Sequence, residues 1–393
     1  MKSNKRPEIR FGGFSEDWAE CRLGEVSERI RGNDGRMDLP TLTISAGSGW
    51  LDQRERFSGN IAGNEQKNYT LLSEGELSYN HGNSKLAKYG AVFVLRTYKE
   101  ALVPRIYHSF RTNEKASSDF IESMFATKKP DKELAKLISS GARMDGLLNI
   151  NYDEFMSIKI TIPRVEEQIE IAKFLRNLEN AIIFYQKELT SLKKTKQGFL
   201  QKMFPKEGEF VPELRFPGFT EGWEQRKLGE ISKTTIGEFV IKTKQNPVNP
   251  FPVYNGGISP TGFYDEFNNK GPKILISARG ANAGFVNFIN GKYWAGNSCY
   301  SVGVIDNSEF HINFLYHFLK CNQHLFTEYQ QAANIPSVSK KDVEKFEILY
   351  PSYNEQKKIG DFFNKLDIIL SLHQQELDAL KQTKKAFLQK MFI

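Results

Sequence analysis

Two segments of the chain, residues 163–204 and 351–392, share one spacing of apolar positions and align with each other without a gap. Apolar residues recur in both at alternating steps of four and three, which keeps one apolar stripe facing a partner helix. A match of this length indicates an internal duplication. The predicted pairing residues are Leu175, Leu178, Ile182, Leu189, Leu192, Phe363, Leu366, Leu370, Leu377 and Leu380.

This pattern predicts two long helices, each roughly 60 Å long at 1.5 Å per residue. The simplest partner for one stripe is the other, so we expect an antiparallel coiled coil within the chain. Lys196 and Lys384 interrupt the two stripes at the same heptad position, where we expect them to set the register. The alternative is that each helix is an ordinary amphipathic helix lying on its own domain.

A second repeated segment opens each half of the chain. Residues 7–14 and 212–219 share a pattern that contains R-F-x-G-F, and Trp18 and Trp223 follow at matching positions. A shared Leu-Gly-Glu comes a few residues later in each half. Each half therefore consists of a constant opening, a variable middle and a constant long helix, and we expect the tryptophans to anchor the openings in their cores.

The variable middles alternate strand-like runs with turn signals and contain one helical stretch each. We match Ser118-Asp119-Phe120 at the start of the first helix with Ser308-Glu309-Phe310 at the start of the second. The predicted strands are residues 76–79, 89–95, 157–162, 273–277, 284–289 and 346–350, and the predicted helices are residues 118–125 and 308–319.

The fold class that follows is α+β, with mixed α/β domains. We predict domains at 1–162 and 205–350, separated by spacer helices at 163–204 and 351–393. A duplicated body of this kind favours a pseudo-twofold axis, with the two middles inversely oriented.

Charge and cysteine content indicate the kind of partner and the cellular compartment of the protein. The 393 residues carry a formal net charge of +7, which mildly favours an anionic partner such as nucleic acid. Three widely separated cysteines argue against a disulfide framework and suit a reducing compartment. The N-terminus has no apolar core typical of a signal peptide, and no apolar run is long enough to cross a bilayer. We expect a cytoplasmic protein without a membrane partner.

Sequence motifs for catalysis are missing. The chain contains no G-x-x-x-x-G-K-[ST] phosphate loop and no convincing methyltransferase or nuclease motif. His317, Cys321 and His324 have helical spacing but no evident fourth ligand, so we expect no metal site. The chain is predicted to have no catalytic residues and to be no enzyme.

Candidate DNA-binding residues lie in turns that follow strands. Arg279 and Asn282 occupy a Gly/Ala-rich turn, where an exposed Arg could contact guanine and an Asn could contact adenine. The alternative is a surface turn whose Arg contacts only phosphate or solvent. The equivalent turn of the first half supplies Asn80, His81, Asn83 and Lys85, and second-rank candidates are Arg143, Asn334, Arg54, Lys242, Lys244 and Asn297.

These features together resemble the DNA-specificity (S) subunit of type I restriction–modification systems. The residues that carry the resemblance are the two R-F-x-G-F openings, the two P-x-x-x-E-Q helices that end in F-L-Q-K-M-F, and residues 276–284. In this comparison, residues 77–82 of the first middle stand where the second has residues 275–280. The resemblance covers nearly the whole chain.

The resemblance implies a division of labour. Each middle would be a target-recognition domain that reads one half of a split double-stranded DNA target, and the helices would set the gap between the halves. The helices would also dock two methyltransferase (M) subunits, which recruit restriction (R) subunits for defence against foreign DNA. No cofactor is expected on this chain; S-adenosylmethionine, ATP and Mg would bind the partner subunits. The alternatives are a fused modification enzyme and a coiled-coil adaptor with nonspecific nucleic-acid binding.

Overall fold

The structure is a computed structural model that describes residues 5–57, 63–138, 147–328 and 336–393. The chain forms two compact units. Unit 1 comprises Met1–Tyr185 together with Glu376–Ile393, and unit 2 comprises Gln186–Gln375. Each long helix contributes one part to each unit, because the unit boundaries fall inside the helices.

Unit 1 begins with short strands and ends in the first long helix. Its elements are β1 (Ala19–Arg22), β2 (Ser27–Arg29), β3 (Leu42–Ser45), β4 (Gly49–Asp52), α1 (Gln53–Phe57), β5 (Thr70–Ser73), β6 (Leu77–Asn80), β7 (Ala91–Val94), β8 (Glu100–Val103), β9 (His108–Thr112), α2 (Ser118–Ala126), α3 (Asp131–Leu137), α4 (Tyr152–Met156), β10 (Lys159–Ile162) and the first part of α5 (Val165–Met203).

The main sheet of unit 1 is antiparallel, with strand order β2-β9-β6-β7. Three two-stranded pairs accompany it among the described residues: β1 with β10, β3 with β4, and β5 with β8. Trp18 and Phe120 are fully buried in its core, and their rings are 5.8 Å apart. Trp18 therefore anchors the opening segment, as the sequence predicts.

Unit 2 repeats this order with different strands. Its elements after α5 are β11 (Glu224–Lys227), α6 (Leu228–Ile231), β12 (Ser232–Ile236), β13 (Phe251–Tyr254), β14 (Gly262–Tyr264), β15 (Asn269–Lys270), β16 (Lys273–Ser277), β17 (Val286–Ile289), β18 (Lys292–Ala295), β19 (Cys299–Val304), α7 (Ile312–Cys321), α8 (Leu325–Glu328), α9 (Lys340–Lys345), β20 (Glu347–Tyr350) and the first part of α10 (Tyr353–Lys390).

The main sheet of unit 2 has the matching order β12-β19-β16-β17, and β11 pairs with β20 as β1 pairs with β10. The rest differs. Unit 2 places β14, β13, β18 and β15 in a second four-stranded sheet, in which β13 and β18 run parallel. The mixed α/β class predicted from the sequence is confirmed.

Both long helices begin two residues after a proline and continue for 39 and 38 residues. In unit 1, Phe174 of α5 contacts Phe387 of α10, with ring centroids 4.7 Å apart. In unit 2, Phe199 of α5 contacts Phe362 of α10 at 5.1 Å. Early residues of one helix thus meet late residues of the other within each unit, which is an antiparallel pairing.

The residues predicted to pair the helices are all buried or half-buried. Leu175, Ile182, Leu189, Phe363 and Leu377 are buried, and the other five are half-buried. The interrupting lysines form ion pairs across the helix pair: Lys196 contacts Asp367, and Lys384 contacts Glu179. Their role in setting the register stays a prediction.

The recurring Glu of the P-x-x-x-E-Q motif attaches the opening segment to the helix. Arg10 donates from Nε and Nη2 to the two carboxylate oxygens of Glu167, both at 2.7 Å. Arg215 does the same with Glu355 at 2.6 and 2.7 Å. Each carboxylate is buried, so the paired charges replace lost hydration with two parallel charge-assisted hydrogen bonds.

The recurring Gln attaches each long helix to the N-terminal end of a shorter helix, α2 in unit 1 and α7 in unit 2. In unit 1 the Gln168 side chain donates to the Pro163 carbonyl at 2.8 Å and accepts from the Ser117 amide at 2.9 Å, directly before α2. In unit 2 Gln356 donates to the Pro351 carbonyl and accepts from the His311 amide, directly before α7. These bonds satisfy backbone groups at helix ends that would otherwise be unpaired.

These glutamine contacts correct one sequence match. Ser117 and His311 occupy the same place, so Ser118 corresponds to Ile312 and not to Ser308. The second helix begins at Ile312 because the Asp306 carboxylate accepts from the Ser308 amide and hydroxyl and holds that segment in a turn. The N-cap of the first helix is Ser117, whose side chain forms no capping hydrogen bond.

Candidate nucleic-acid interface

In unit 2 the turn after β16 presents Arg279 on the surface. Its backbone forms a bridge with Ser337, and the Gly280 amide donates to the Pro336 carbonyl at 3.0 Å, so the turn is fixed on one side. Gly280 has a positive φ of 87°, which favours glycine there. The Arg279 side chain is exposed and has no hydrogen bond or ion pair among the described residues. It is available to a ligand.

Asn297 lies in a neighbouring loop that is hydrogen-bonded to this turn. The Ala278 amide donates to the Ser298 carbonyl at 2.8 Å, and the Ser298 amide donates to Asn255 Oδ1 at 3.1 Å. Asn297 is exposed, and in the described part of the chain its side chain has no partner. The structure thus brings Arg279 and Asn297 together, although 18 positions of sequence numbering separate them.

Asn282 is less accessible than Arg279. Its side chain is half-buried, and its carbonyl accepts from the Phe285 amide at 3.0 Å to close the turn.

Two further segments of this surface carry exposed apolar residues that the sequence did not single out. The β13–β14 loop reaches the Arg279 turn, since a Cβ on Gly256 would lie 3.1 Å from the Arg279 carbonyl oxygen. That loop carries Ile258, which is 56% exposed, and the Glu238 backbone bridges to Gly296 beside Phe239, which is 72% exposed. The Asn-Gly-Gly sequence before Ile258 is a turn signal from which this loop could have been predicted. We call these four segments the unit 2 loop cluster: residues 237–239, 255–261, 278–284 and 296–298.

In unit 1 the matching turn follows β6. The Asn80 side chain is used internally: its Oδ1 accepts from the Gly82 amide at 3.0 Å and its Nδ2 donates to the Ile44 carbonyl at 3.3 Å. His81 is only 5% exposed and lies 5.0 Å from the ring of His108. Burial lowers the pKa of His108 from its ordinary value. The side chains of Asn80 and His81 are therefore part of the internal structure of the turn.

Asn83 and Lys85 are the two exposed candidates of this turn. Neither side chain has a hydrogen-bond partner or ion pair within the described residues. Like Arg279 and Asn297 in unit 2, they are therefore available to a ligand.

The structure moves the alignment of the two turns by one residue. Gly82 forms an antiparallel bridge with Leu147, as Arg279 does with Ser337. The strand registers agree, because Leu77 pairs with Phe110 where Ile274 pairs with Val302. Arg279 therefore corresponds to Gly82, and His81 corresponds to the buried Ala278. A shift of one residue in a strand exchanges its two faces, which explains why His81 points inward.

The second-rank candidates are scattered. Arg54 pairs with Asp52, whose pKa its guanidinium lowers, and Lys244 lies 3.6 Å from Glu266. Lys242 is exposed in a short 3₁₀ turn. Arg143 and Asn334 lie outside the described residues, so their placement stays a prediction.

Two kinds of feature are absent from the described residues. No helix there combines the length and apolar character needed to cross a membrane. No group of three or more His, Cys, Asp and Glu side chains there is placed to hold a metal ion. His317 lies 5.1 Å from the ring of Phe363 in the core of unit 2.

The chain is similar in sequence to type I specificity subunits. A putative type I restriction enzyme MjaX specificity subunit from Methanocaldococcus jannaschii is 25% identical over 406 aligned positions, covering 97% of this chain and 93% of that protein. A putative type I specificity subunit from Mycoplasma genitalium is 24% identical over 201 positions, covering 51% of this chain and 52% of that protein.

A solved structure extends the likeness to the whole fold. The crystal structure of the type I restriction–modification system S subunit from M. genitalium superimposes with a TM-score of 0.72 at 16% identity, covering 99% of both chains. The family model described as type I restriction modification DNA specificity domain matches this chain twice, at residues 15–194 and 220–382. The two matches span most of the chain, and the protein therefore belongs to the type I restriction–modification specificity-subunit family.

Proposed function

We propose that this chain reads a bipartite double-stranded DNA target for a type I restriction–modification complex, with one half-site read by each unit. The observation that carries the proposal is the pair of turns after β6 and β16. They occupy equivalent places in the two main sheets yet present different exposed side chains: Asn83 and Lys85 in unit 1, and Arg279 in unit 2. One scaffold with two different surfaces is suited to reading two different short sequences.

Affinity and specificity would come from different residues. Lysine and arginine contacts to phosphates supply salt-dependent affinity, and the net charge of +7 favours them. Base identity would be read by Arg279, Asn297, Asn83 and their neighbours, each good contact contributing roughly 1–3 kcal/mol. The chain supplies recognition and no chemistry in this proposal.

The long helices would have two tasks. Their fixed length would make the gap between half-sites part of the recognised sequence. They would also dock two methyltransferase subunits, through which restriction subunits join. Exposed apolar residues on the helices support protein docking: Phe184 on α5 is 57% exposed and Leu372 on α10 is 58% exposed. S-adenosylmethionine, ATP and Mg would bind those partner subunits.

A methylation map tests the proposal. This chain is co-expressed with its methyltransferase subunit in a host without adenine methylation, and the host DNA is sequenced for N6-methyladenine. We expect one split motif with a fixed gap. Replacing residues 28–162 by the corresponding residues of another family member should change one half of the motif and leave the other half and the gap unchanged.

Two outcomes would contradict the proposal. A continuous motif would exclude two separate readers. A complex that assembles but binds DNA only nonspecifically, with binding lost at moderate salt, would favour the adaptor function instead. A further variant with one heptad removed from both helices should shorten the gap and preserve both half-sites.

A further inference from the structure

The most exposed large apolar side chain that the structure describes in unit 1 is Leu86. It is 71% exposed, whereas Phe184, the next in that unit, is 57% exposed. Leu86 lies in the β6–β7 loop, residues 81–90, which is the loop that corresponds to the Arg279 turn of unit 2. A single exposed leucine is common on protein surfaces, so its exposure alone indicates no ligand. Leu86 is of interest because it lies in the loop to which the proposed function assigns DNA contact, beside two exposed polar candidates.

The loop holds Leu86 in a fixed place. The Ala87 amide donates to the Ser84 carbonyl at 3.2 Å and to its hydroxyl at 3.1 Å, and Ala87 is buried. The loop closes at Gly90, whose φ is +84° and where a Cβ would lie 2.5 Å from the Asn80 carbonyl oxygen. A loop anchored on both sides of Leu86 loses little further entropy when it binds.

The surroundings of Leu86 favour DNA over a protein partner. Asn83 and Lys85 are exposed in the same loop and have no hydrogen bond or ion pair within the described residues. Leu86 Cδ1 would lie 3.1 Å from a Cβ at Gly47, so the neighbouring β3–β4 turn comes close without adding a side chain of its own. An amide, a cation and one aliphatic group on a narrow loop match the features of a major-groove edge: base acceptors and donors, a phosphate and a thymine methyl.

We infer that Leu86 is a specificity-determining residue of unit 1 that contacts the C5-methyl group of a thymine in the half-site read by this unit. The inference rests on the proposed function. Asn83 and Lys85 supply the polar contacts beside it, and Leu86 supplies the apolar contact that separates thymine from cytosine at one position.

The test removes the two contacting groups separately and together. The complex of this chain with its methyltransferase subunit is measured for binding to a duplex carrying its methylation motif, and to duplexes in which each thymine of one half-site is replaced by uracil. Uracil pairs as thymine does but lacks the methyl group. We expect one uracil position, and the L86A variant, to weaken binding by about tenfold each. Combined, they should weaken it by little more than either alone, because both remove the same contact.

Tyr98 provides a matched control. It is 37% exposed and follows β7 at the end opposite the β6–β7 loop, since β7 is four residues long and spans about 13 Å. Y98A should bind every duplex like the wild type. L86A should unfold like the wild type, because its side chain is largely exposed.

Each remaining outcome overturns the inference. Uracil effects that simply add to the effect of L86A, or a half-site without any uracil-sensitive position, would exclude the methyl contact. An L86A chain that assembles poorly with the methyltransferase subunit before DNA is added would identify Leu86 as a protein contact. A wild-type complex that yields no split motif would overturn the proposed function and this inference with it, whereas a split motif unaffected by L86A overturns the inference alone.

Discussion

Unit 1 and unit 2 agree in the main sheet and in the ion pair that joins the opening segment to the long helix, and they differ in the second sheet of unit 2 and in the exposed loops. The Arg10–Glu167 and Arg215–Glu355 pairs have the same two-bond geometry to within about 0.1 Å. In contrast, the turn after the equivalent strand carries Gly82 in one unit and an exposed Arg279 in the other. The difference shows that the duplicated parts form a common scaffold that carries different loops. The loops are free to vary because neither fold depends on their exposed side chains.

The similarity of the buried parts extends to the ends of the long helices. Phe392 packs 5.2 Å from the ring of Phe120 in unit 1, and Phe204 packs 5.7 Å from the ring of Phe314 in unit 2. Phe204 directly precedes the opening segment of unit 2, whereas Phe392 lies at the other end of the chain from the opening segment of unit 1. The core of unit 1 is therefore completed by a residue distant in sequence.

The largest predicted effects come from removing these rings. F392A should lower the free energy of unfolding of unit 1, and F204A that of unit 2, by about 4 kcal/mol each, because a buried ring leaves a cavity. Hydrogen exchange of amides in the two main sheets measures each unit separately. F184A, which truncates an exposed ring, is the control and should change neither by more than about 0.5 kcal/mol. Equal losses in both units for either variant would contradict separate cores.

The buried ion pairs come next. E167Q and E355Q should destabilise their own units by about 2 kcal/mol, because each leaves a half-buried arginine without its counter-charge and weakens two charge-assisted hydrogen bonds. The two losses should be similar, since the two pairs have the same geometry. Hydrogen exchange again reads each unit.

The Lys202–Glu213 pair controls for charge alone. Both side chains are more than half exposed, so E213Q should have almost no effect on unfolding. A loss in E213Q comparable to that in E355Q would show that net charge, and not the buried pair, governs stability.

Much of the shared framework could be predicted from the sequence, because its signals are local and occur twice. The heptad spacing predicted both long helices to within two residues at their starts, and Trp18 was correctly assigned to a core. The repeated Glu-Gln motif could be identified in the sequence, but the hydrogen bonds that it forms could not be predicted. Its partners, Arg10 and the Ser117 amide for Glu167 and Gln168, lie in other segments of the chain.

The loops were harder to predict because their register depends on pairing between distant strands. Sequence similarity aligned His81 with Arg279. The bridges to Leu147 and Ser337 show instead that Gly82 is the counterpart of Arg279. The second sheet of unit 2 joins β13 to β18 across some forty residues, for which no local pattern exists. Asn80 has the residue type of a base reader, but its two hydrogen bonds within the turn become visible only in three dimensions.

A smaller effect is predicted for Arg279, and it sharpens the comparison of the two turns. R279A should weaken binding of the complex to its motif by about 2 kcal/mol and relax one position in the half-site read by unit 2. R279K should restore part of the affinity but not the base preference, because lysine lacks the two-pronged donor geometry. Methylation mapping and salt-dependent binding give both readouts.

The salt dependence separates the two possible roles of Arg279. A phosphate contact would be lost equally on all sequences and would lower the slope of log K against log salt by about one. In that case the base-reading assignment of the unit 2 turn is wrong, although the turn still touches DNA.

The smallest predicted effect concerns pH and the buried His317 of unit 2. Burial lowers the pKa of His317 in unit 2 to about 3, and the positive charge of Lys196 adds to this, while Asp367 lies 3.7 Å away. The unfolded chain protonates this histidine near pH 6.5. Below that pH the unfolded state binds a proton that the folded state does not, so unit 2 loses stability as the pH falls.

The expected loss from His317 is about 1 kcal/mol between pH 6.5 and 5.5, and H317Q should remove that part. Burial also lowers the pKa of His311 in the same unit, so a smaller acid loss from that residue should remain. The corresponding residue of α2 in unit 1 is Ser123, which carries no charge and predicts no such loss at that position. Hydrogen exchange at the two pH values, corrected for the intrinsic rate, measures the difference. If H317Q retains the full acid loss, then another group in unit 2 takes up the proton, and the neutral buried His317 is not the cause.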